Sequence, residues 1–360
     1  MADGDVVMAG GRIPAVTSPV PREVWESVLK SDGSAMVTQS LPWRDALLAS
    51  GRFRDVSRLY EFPSGQRIIL PLARRKFRPG GAAVVSSWPK PWAAGGPICA
   101  DGRVSHAEAA AVLADVASLG ALAAEVKLRH DADPNWLDAS NRFQVQEIED
   151  WILDLDNGFD DVWQHKFHAS TRKAIRKAER SGLEIEVDRT GQLLGSFYEL
   201  HQKSVVRWAA MQHSPAWLTR ARLAPEVAAS RMRSLADCFG PDFAIWLARL
   251  HGRPVAAIVV LRAGAYAMYF WGAMDKEAEG HAHAPDLLHK LAIEEACQLG
   301  YRYYDLGGAR PDSSLGAFKR KFGATLLYRH TLRIEHVPVQ AIARVPTVMT
   351  KKLIGYRDNV

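Results

Sequence analysis

Apolar residues recur along the chain with two periods, and the switch between them predicts the order of elements. Pro21–Lys30 and Pro42–Ser50 read as short helices. Arg67–Arg74 (RIILPLAR) sets β-branched residues ahead of a proline and predicts a strand, with a second over Ala82–Trp88. Lys90–Ile98 is a Pro/Gly loop. Ser105–His130 predicts a helix, because Ser105 with Glu108 three residues on forms a capping box. Gln144–Leu155 has strand character, and the Asn157-Gly158 turn marks a domain boundary.

Asp160–Ser181 predicts a strongly basic helix that Gly182 stops. Leu183–Val187 alternates as a strand, and Gln192–Trp208 and Pro225–Cys238 follow as helices. Phe243–Leu250, Pro254–Arg262 and Ala265–Ala273 predict three consecutive strands, the first two joined at His251-Gly252-Arg253. Pro285–Leu299 opens with a proline suited to a helix start, and Gly300 ends it. A strand (Tyr301–Leu306), a short helix (Leu315–Phe322) and a last strand (Thr325–His336) complete the order.

This order predicts an α/β protein with mixed sheets flanked by helices. No fixed-period repeat is present. The expected organisation is a flexible leader (1–20), an N-terminal domain (21–156), a C-terminal domain carrying the site (157–345) and a tail (346–360).

Composition narrows the function classes. Of 360 residues, 48% are hydrophobic and 24% charged, which excludes wholesale disorder. Lys and Arg number 46 against 40 Asp and Glu, a net charge of +6 that favours a polyanionic partner without requiring one. The three cysteines, Cys99, Cys238 and Cys297, are scattered, which argues against a disulfide framework or zinc knuckle and suits a reducing cytoplasm. The apolar runs Ala107–Val126 and Ala256–Ala273 both carry charge, so membrane contact would be peripheral and without stable insertion. No metal site is expected.

Candidate chemistry concentrates late in the chain. Tyr304-Asp305-Leu306-Gly307-Gly308 places a carboxylate at a strand end before two glycines, where a loop opens a cleft. Phe318-Lys319-Arg320-Lys321-Phe322-Gly323 supplies a cation suited to a developing oxyanion. Lys166, Arg172, Lys173, Arg176, Lys177 and Arg180 lie on one predicted helix with few acids, either a solvated face or a track for a polyphosphate such as tRNA. Trp88, Trp92, Trp208, Trp217, Trp246 and Trp271 belong to the core or line a cleft. His281 and His283 form only a weak His-x-His metal pattern.

The YD-x-GG and FKxxFG segments together resemble the Fem family of aminoacyl-tRNA-dependent peptidyltransferases, which are built from two GNAT-type folds. Ser170–Gly182, the Tyr198–Arg207 segment, and Gln39-Ser40 with Trp43 are similar to further Fem segments in the same order. The resemblance covers roughly residues 36–335. It implies two tandem GNAT-like domains and aminoacyl-tRNA as co-substrate, with no bound cofactor. The aminoacyl group would pass to an amine on a peptide, small molecule or cell-wall precursor. Lys319 would contact the reacting carbonyl, and Asp305 would handle the amine proton. Arg207, Phe318, Tyr304 and Trp43 would bind substrate, Arg207 meeting an anionic acceptor. The family's lysine after the N-terminal tryptophan is missing. Arg44 follows Trp43 instead, which weakens a UDP-linked acceptor.

The same segments also resemble acyltransferases linked to polysaccharide modification, so an acyl-CoA-dependent N- or O-acyltransferase is the alternative. Acetyl-CoA enzymes of the GNAT type use a glycine-rich loop before the helix that here starts near Pro285. The chain offers Glu279-Gly280-His281-Ala282-His283-Ala284-Pro285, with one glycine and an added acid, which argues against that donor. A non-catalytic RNA- or partner-binding module is the third reading.

Overall fold

The computed structural model describes residues 14–75, 84–90, 92–224 and 228–337. The first part of the leader, Ala82-Ala83, the start of the helix expected at Pro225, and the tail lie outside the described residues.

Among the described residues fifteen strands follow in chain order: β1 (Ala15–Thr17), β2 (Phe53–Asp55), β3 (Arg58–Glu61), β4 (Arg67–Leu70), β5 (Ala73–Arg75), β6 (Val84–Ser86), β7 (Ile98–Cys99), β8 (Ala123–Lys127), β9 (Gln144–Asp154), β10 (Leu183–Asp188), β11 (Phe243–Leu250), β12 (Arg253–Ala263), β13 (Tyr266–Met274), β14 (Tyr303–Asp305) and β15 (Thr325–Glu335). They form a small sheet, β1-β3-β4-β7, and an eleven-stranded sheet, β10-β11-β12-β13-β14-β9-β15-β8-β6-β5-β2. The large sheet continues across the expected boundary at Asn157. β15, from the end of the chain, lies between β9 and β8.

Two parallel pairs repeat one motif in the two halves. β6 joins β8 through the His106–Ala117 helix, and β13 joins β14 through the Ala284–Gln298 helix. Both connections have the length that a helical crossover needs.

The central strands are buried on both faces. Phe243, Ile245 and Leu247 of β11 face one core with Trp25, Trp43 and Phe197. Ala244, Trp246 and Ala248 face another with Ile175, Leu288 and Phe322. This period-2 partition packs the helices Leu194–Met211 and Ala229–Phe239 on one side and Ala169–Glu179 and Ala284–Gln298 on the other.

Several expectations are corrected. The helix expected over Ser105–His130 ends at Ala117; Gly120, at φ +59°, turns the chain and Ala123–Lys127 becomes β8. The Ser105 capping box is present. Arg67–Arg74 splits at Pro71-Leu72 into β4 and β5, which enter different sheets. The basic helix is broken: Gly158–Asp161 is a short α-helix, Val162–Lys166 forms a π turn, His168 is extended, and α-helix resumes over Ala169–Glu179. Residues 15–17 of the expected leader pair as β1 with β3, and Val20 is buried. The helix Ala216–Leu223 was not expected.

Candidate active site

β13 and β14 pair only where Tyr266, Ala267 and Met268 face Tyr303, Tyr304 and Asp305. β13 then runs on to Met274 while the other chain turns away at Leu306–Gly308, so the sheet opens. The β12–β13 register shifts between Val259 and Val260, leaving Phe270 as an extra residue. Such bulges re-aim side chains beside functional sites. Here Phe270 and Trp271 wall a cavity of about 790 Å³.

Four charged side chains from separate segments form its floor: Asp150 on β9, Asp305 on β14, Lys319 on the Ser314–Arg320 helix and Arg329 on β15. The Lys319 ammonium donates to the carbonyls of Gly307 (2.8 Å) and Gly308 (2.9 Å). With three N–H groups, it keeps capacity for a further acceptor. Burial pulls its pKa down to about 8, opposed by the charges of Asp305 and Asp150.

Asp305 accepts from the Gly307 N–H at 2.7 Å. Gly307 sits at φ +73°, a conformation that favours glycine. A Cβ at Gly308 would lie 2.9 Å from the Glu149 carbonyl, so each glycine has a backbone reason. Burial raises the Asp305 pKa, against the Gly307 N–H and the Lys319 charge.

Asp150 was not anticipated. Its pKa rises to about 7, first through burial and then through repulsion by Asp305, while Arg329 draws it down. Two buried carboxylates that repel each other titrate as a pair, with one proton held near neutral pH. Asp150 stands in no motif. The only signal available was its place on the strand that became β9.

The other expected site residues separate into two groups. Arg207 and Phe318 line the cavity, and Arg207 donates to the Met274 carbonyl at 3.2 Å. Trp43 and Tyr304 are completely buried and do not line it. Trp43 instead stands edge-on to Trp92 and to the wall residue Phe270, and Tyr304 bonds His289 at 3.2 Å, whose ring packs against the wall residues Tyr269 and Phe318. Arg44 is bound to Asp55 at 2.7 Å rather than facing the cavity. Arg231, which the sequence reading passed over, does line it, held at 4.5 Å from Trp92 and 4.8 Å from Phe270. Trp208 also faces the cavity, Trp88, Trp92 and Trp246 are core, and Trp217 is exposed.

The six basic residues do not form one stripe, and none lines the cavity. Lys166, in the π turn, donates to the Asp154 carbonyl, and Arg172 closes that turn by donating to the carbonyls of Trp163, Gln164 and Phe167. Lys173, Arg176, Lys177 and Arg180 remain exposed on the Ala169–Glu179 helix. Its buried side is Thr171, Ile175 and Ala178, while Ala169 is exposed.

At the start of the Ala284–Gln298 helix, the buried Glu279 carboxylate accepts the Ala284 N–H at 3.1 Å. Pro285 removes a second donor. This end is therefore filled by the protein's own anion and is a poor cradle for the pyrophosphate of CoA. Among the described residues no group of three or more His, Cys, Asp or Glu could hold a metal, and no helix is long and apolar enough to cross a membrane.

The tandem parallel crossovers and the splayed β13–β14 pair form a GNAT-type fold in two halves. Residues 165–320 match the family model described as an acetyltransferase (GNAT) domain. The chain resembles the crystal structure of FemX at 14% identity, with a TM-score of 0.67 over 92% of this chain and 99% of that one. A tandem GNAT protein from the clavulanic acid biosynthesis pathway matches at 14% identity and TM-score 0.51, over 91% and 98% of the two chains. The C-terminal domain of a putative lysylphosphatidylglycerol synthetase from Agrobacterium fabrum gives 14%, 0.51, 93% and 98%. No curated protein sequence matches. The fold is that of the Fem-like tandem GNAT proteins.

Proposed function

We propose that the protein transfers an aminoacyl group from aminoacyl-tRNA to an amine, forming an amide. The observation that carries this reading is Glu279 at the Ala284–Gln298 helix start, which disfavours acyl-CoA in the half that supplies Asp305 and Lys319. The Fem-like fold and the order of matching segments favour the tRNA ester as donor. The ester is already activated, so the protein needs mainly to position it and stabilise charge.

The amine attacks the ester carbonyl and its proton passes to the Asp150–Asp305 pair. The carbonyl electrons move to oxygen, where the Lys319 ammonium opposes the developing charge. Collapse re-forms the carbonyl and expels the tRNA ribose hydroxyl, which takes up the proton. Arg207 and Arg231, beside the aromatic wall, would hold an anionic group on the acceptor. The exposed cations of the Ala169–Glu179 helix would meet tRNA outside the cavity, by phosphate contacts alone.

The test pairs tRNA carrying radiolabelled aminoacyl groups with labelled acetyl-CoA, each with a pool of amine acceptors. Label leaving tRNA and lost in Lys319→Ala supports the reading. Label leaving only CoA refutes it and assigns the acyl-CoA-dependent alternative. RNA binding unchanged in Lys319→Ala, with no transfer from either donor, assigns the non-catalytic module.

A further inference from the structure

Most surface helices turn their apolar stripe inward. The Ala216–Leu223 helix keeps Leu218 and Leu223 only half-buried and turns part of its apolar surface outward. Thr219 is its buried residue, bonded to Ser214 at 3.1 Å. At 100° per residue, Trp217 and Ala221 fall on the opposite side, with Ala224 just beyond the helix end, and all three are exposed. Trp217 is 68% exposed, the most exposed of the large apolar residues described.

The surroundings are cationic. Between Glu199 and Glu226 the chain has no Asp or Glu but carries Lys203, Arg207, Arg220 and Arg222. Lys203 is paired with Asp275, Arg207 is turned to Met274, and Arg220 and Arg222 are exposed on the helix itself. Arg222 also bonds Gln212 at 2.6 Å, and Met211, Arg222 and Leu223 line the mouth of the cavity.

An outward indole flanked by arginines is complementary to a surface that is apolar beneath and anionic above. We propose that this patch docks on an anionic phospholipid bilayer. The Trp217 indole enters the boundary between headgroups and acyl chains, and Arg220 and Arg222 meet lipid phosphates. Docking in this way turns the cavity mouth toward the membrane surface. The proposal does not depend on which acyl donor the protein uses.

The full chain is sedimented with phosphatidylcholine vesicles, with and without phosphatidylglycerol. Phosphatidylglycerol should increase binding, and raised salt should reverse the increase. Trp217→Ala should weaken partition on the order of tenfold, and Arg220→Gln about fivefold. Both side chains are exposed, so the melting temperature should stay within a degree or so of the parent. Brominated acyl chains should quench part of the fluorescence, and Trp217→Phe should lose that part. Equal binding by the parent and Trp217→Ala overturns the proposal. So does self-association that Trp217→Ala abolishes, since it would assign the patch to a second copy.

Discussion

The Arg329 guanidinium on β15 lies 2.6 Å from the Asp150 carboxylate on β9. The register pairs Asp150 with Leu327, which makes Arg329 its diagonal neighbour, two residues along the strand. This contact keeps a buried carboxylate in the cavity partly ionised beside Asp305.

Asp150→Asn should lower kcat by about 10²–10⁴, the usual range for a positioned acid–base group. Arg329→Met should move the acid limb of the rate profile upward, because the Asp150 proton then leaves less readily. An unchanged rate and profile in Asp150→Asn would assign the proton transfer to Asp305 alone.

The pH profile follows from two signs. The carboxylate pair must lose a proton to act as base, so the rate should rise as pH passes the raised Asp150 value of about 7. Lys319 must stay protonated, so the rate should fall as pH passes its lowered value of about 8. The expected optimum lies between. Lys319→Arg keeps its charge far above this range, so the alkaline limb should disappear. Initial rates corrected for spontaneous ester hydrolysis decide the point.

Lys319→Ala should lower kcat about 10²–10³-fold, as loss of an oxyanion donor does. Single-turnover transfer from pre-charged tRNA separates this from tRNA binding, which should change little.

Glu279→Ala leaves the Ala284 N–H buried without its acceptor and should cost about 1–2 kcal/mol. At this chain length that lowers the melting temperature by a few degrees. The parent protein should show no rise in melting temperature with CoA.

Gly323 has φ +79°, and an added Cβ would lie 2.5 Å from the Lys166 carbonyl. Gly323→Ala should destabilise by about 2–3 kcal/mol from combined strain and overpacking, read as a lower denaturant midpoint. This explains the last glycine of the FKxxFG segment: the chain turns there against the π turn that precedes the basic helix.

Local signals carried much of the reading. The hairpin strands β11 to β13, the Ala284–Gln298 helix and the β14 strand end were legible because alternation, a proline start and a terminal glycine act within a few residues. The YD-x-GG turn was legible for the same reason: Gly307 answers to its own φ, and Gly308 to a nearby carbonyl. Errors arose where a partner far along the chain decides. Ala123–Lys127 continues a helical composition, yet its pairing with β6 and β15 makes it a strand. The basic run reads as one helix, but Arg172 bonds back to three carbonyls and breaks it into two pieces.

By itself, the sequence determined the α/β class, most of the elements and the two motifs that supply Asp305 and Lys319. Each of these depends on backbone preference and side-chain periodicity over short spans. The tertiary structure alone decided that Asp150 and Arg329 meet at the cavity floor, that Trp43 and Tyr304 stand behind its wall, and that Trp217 faces outward. Burial, pKa and contact are properties of neighbours in space, and those neighbours come from strands and helices scattered over the chain.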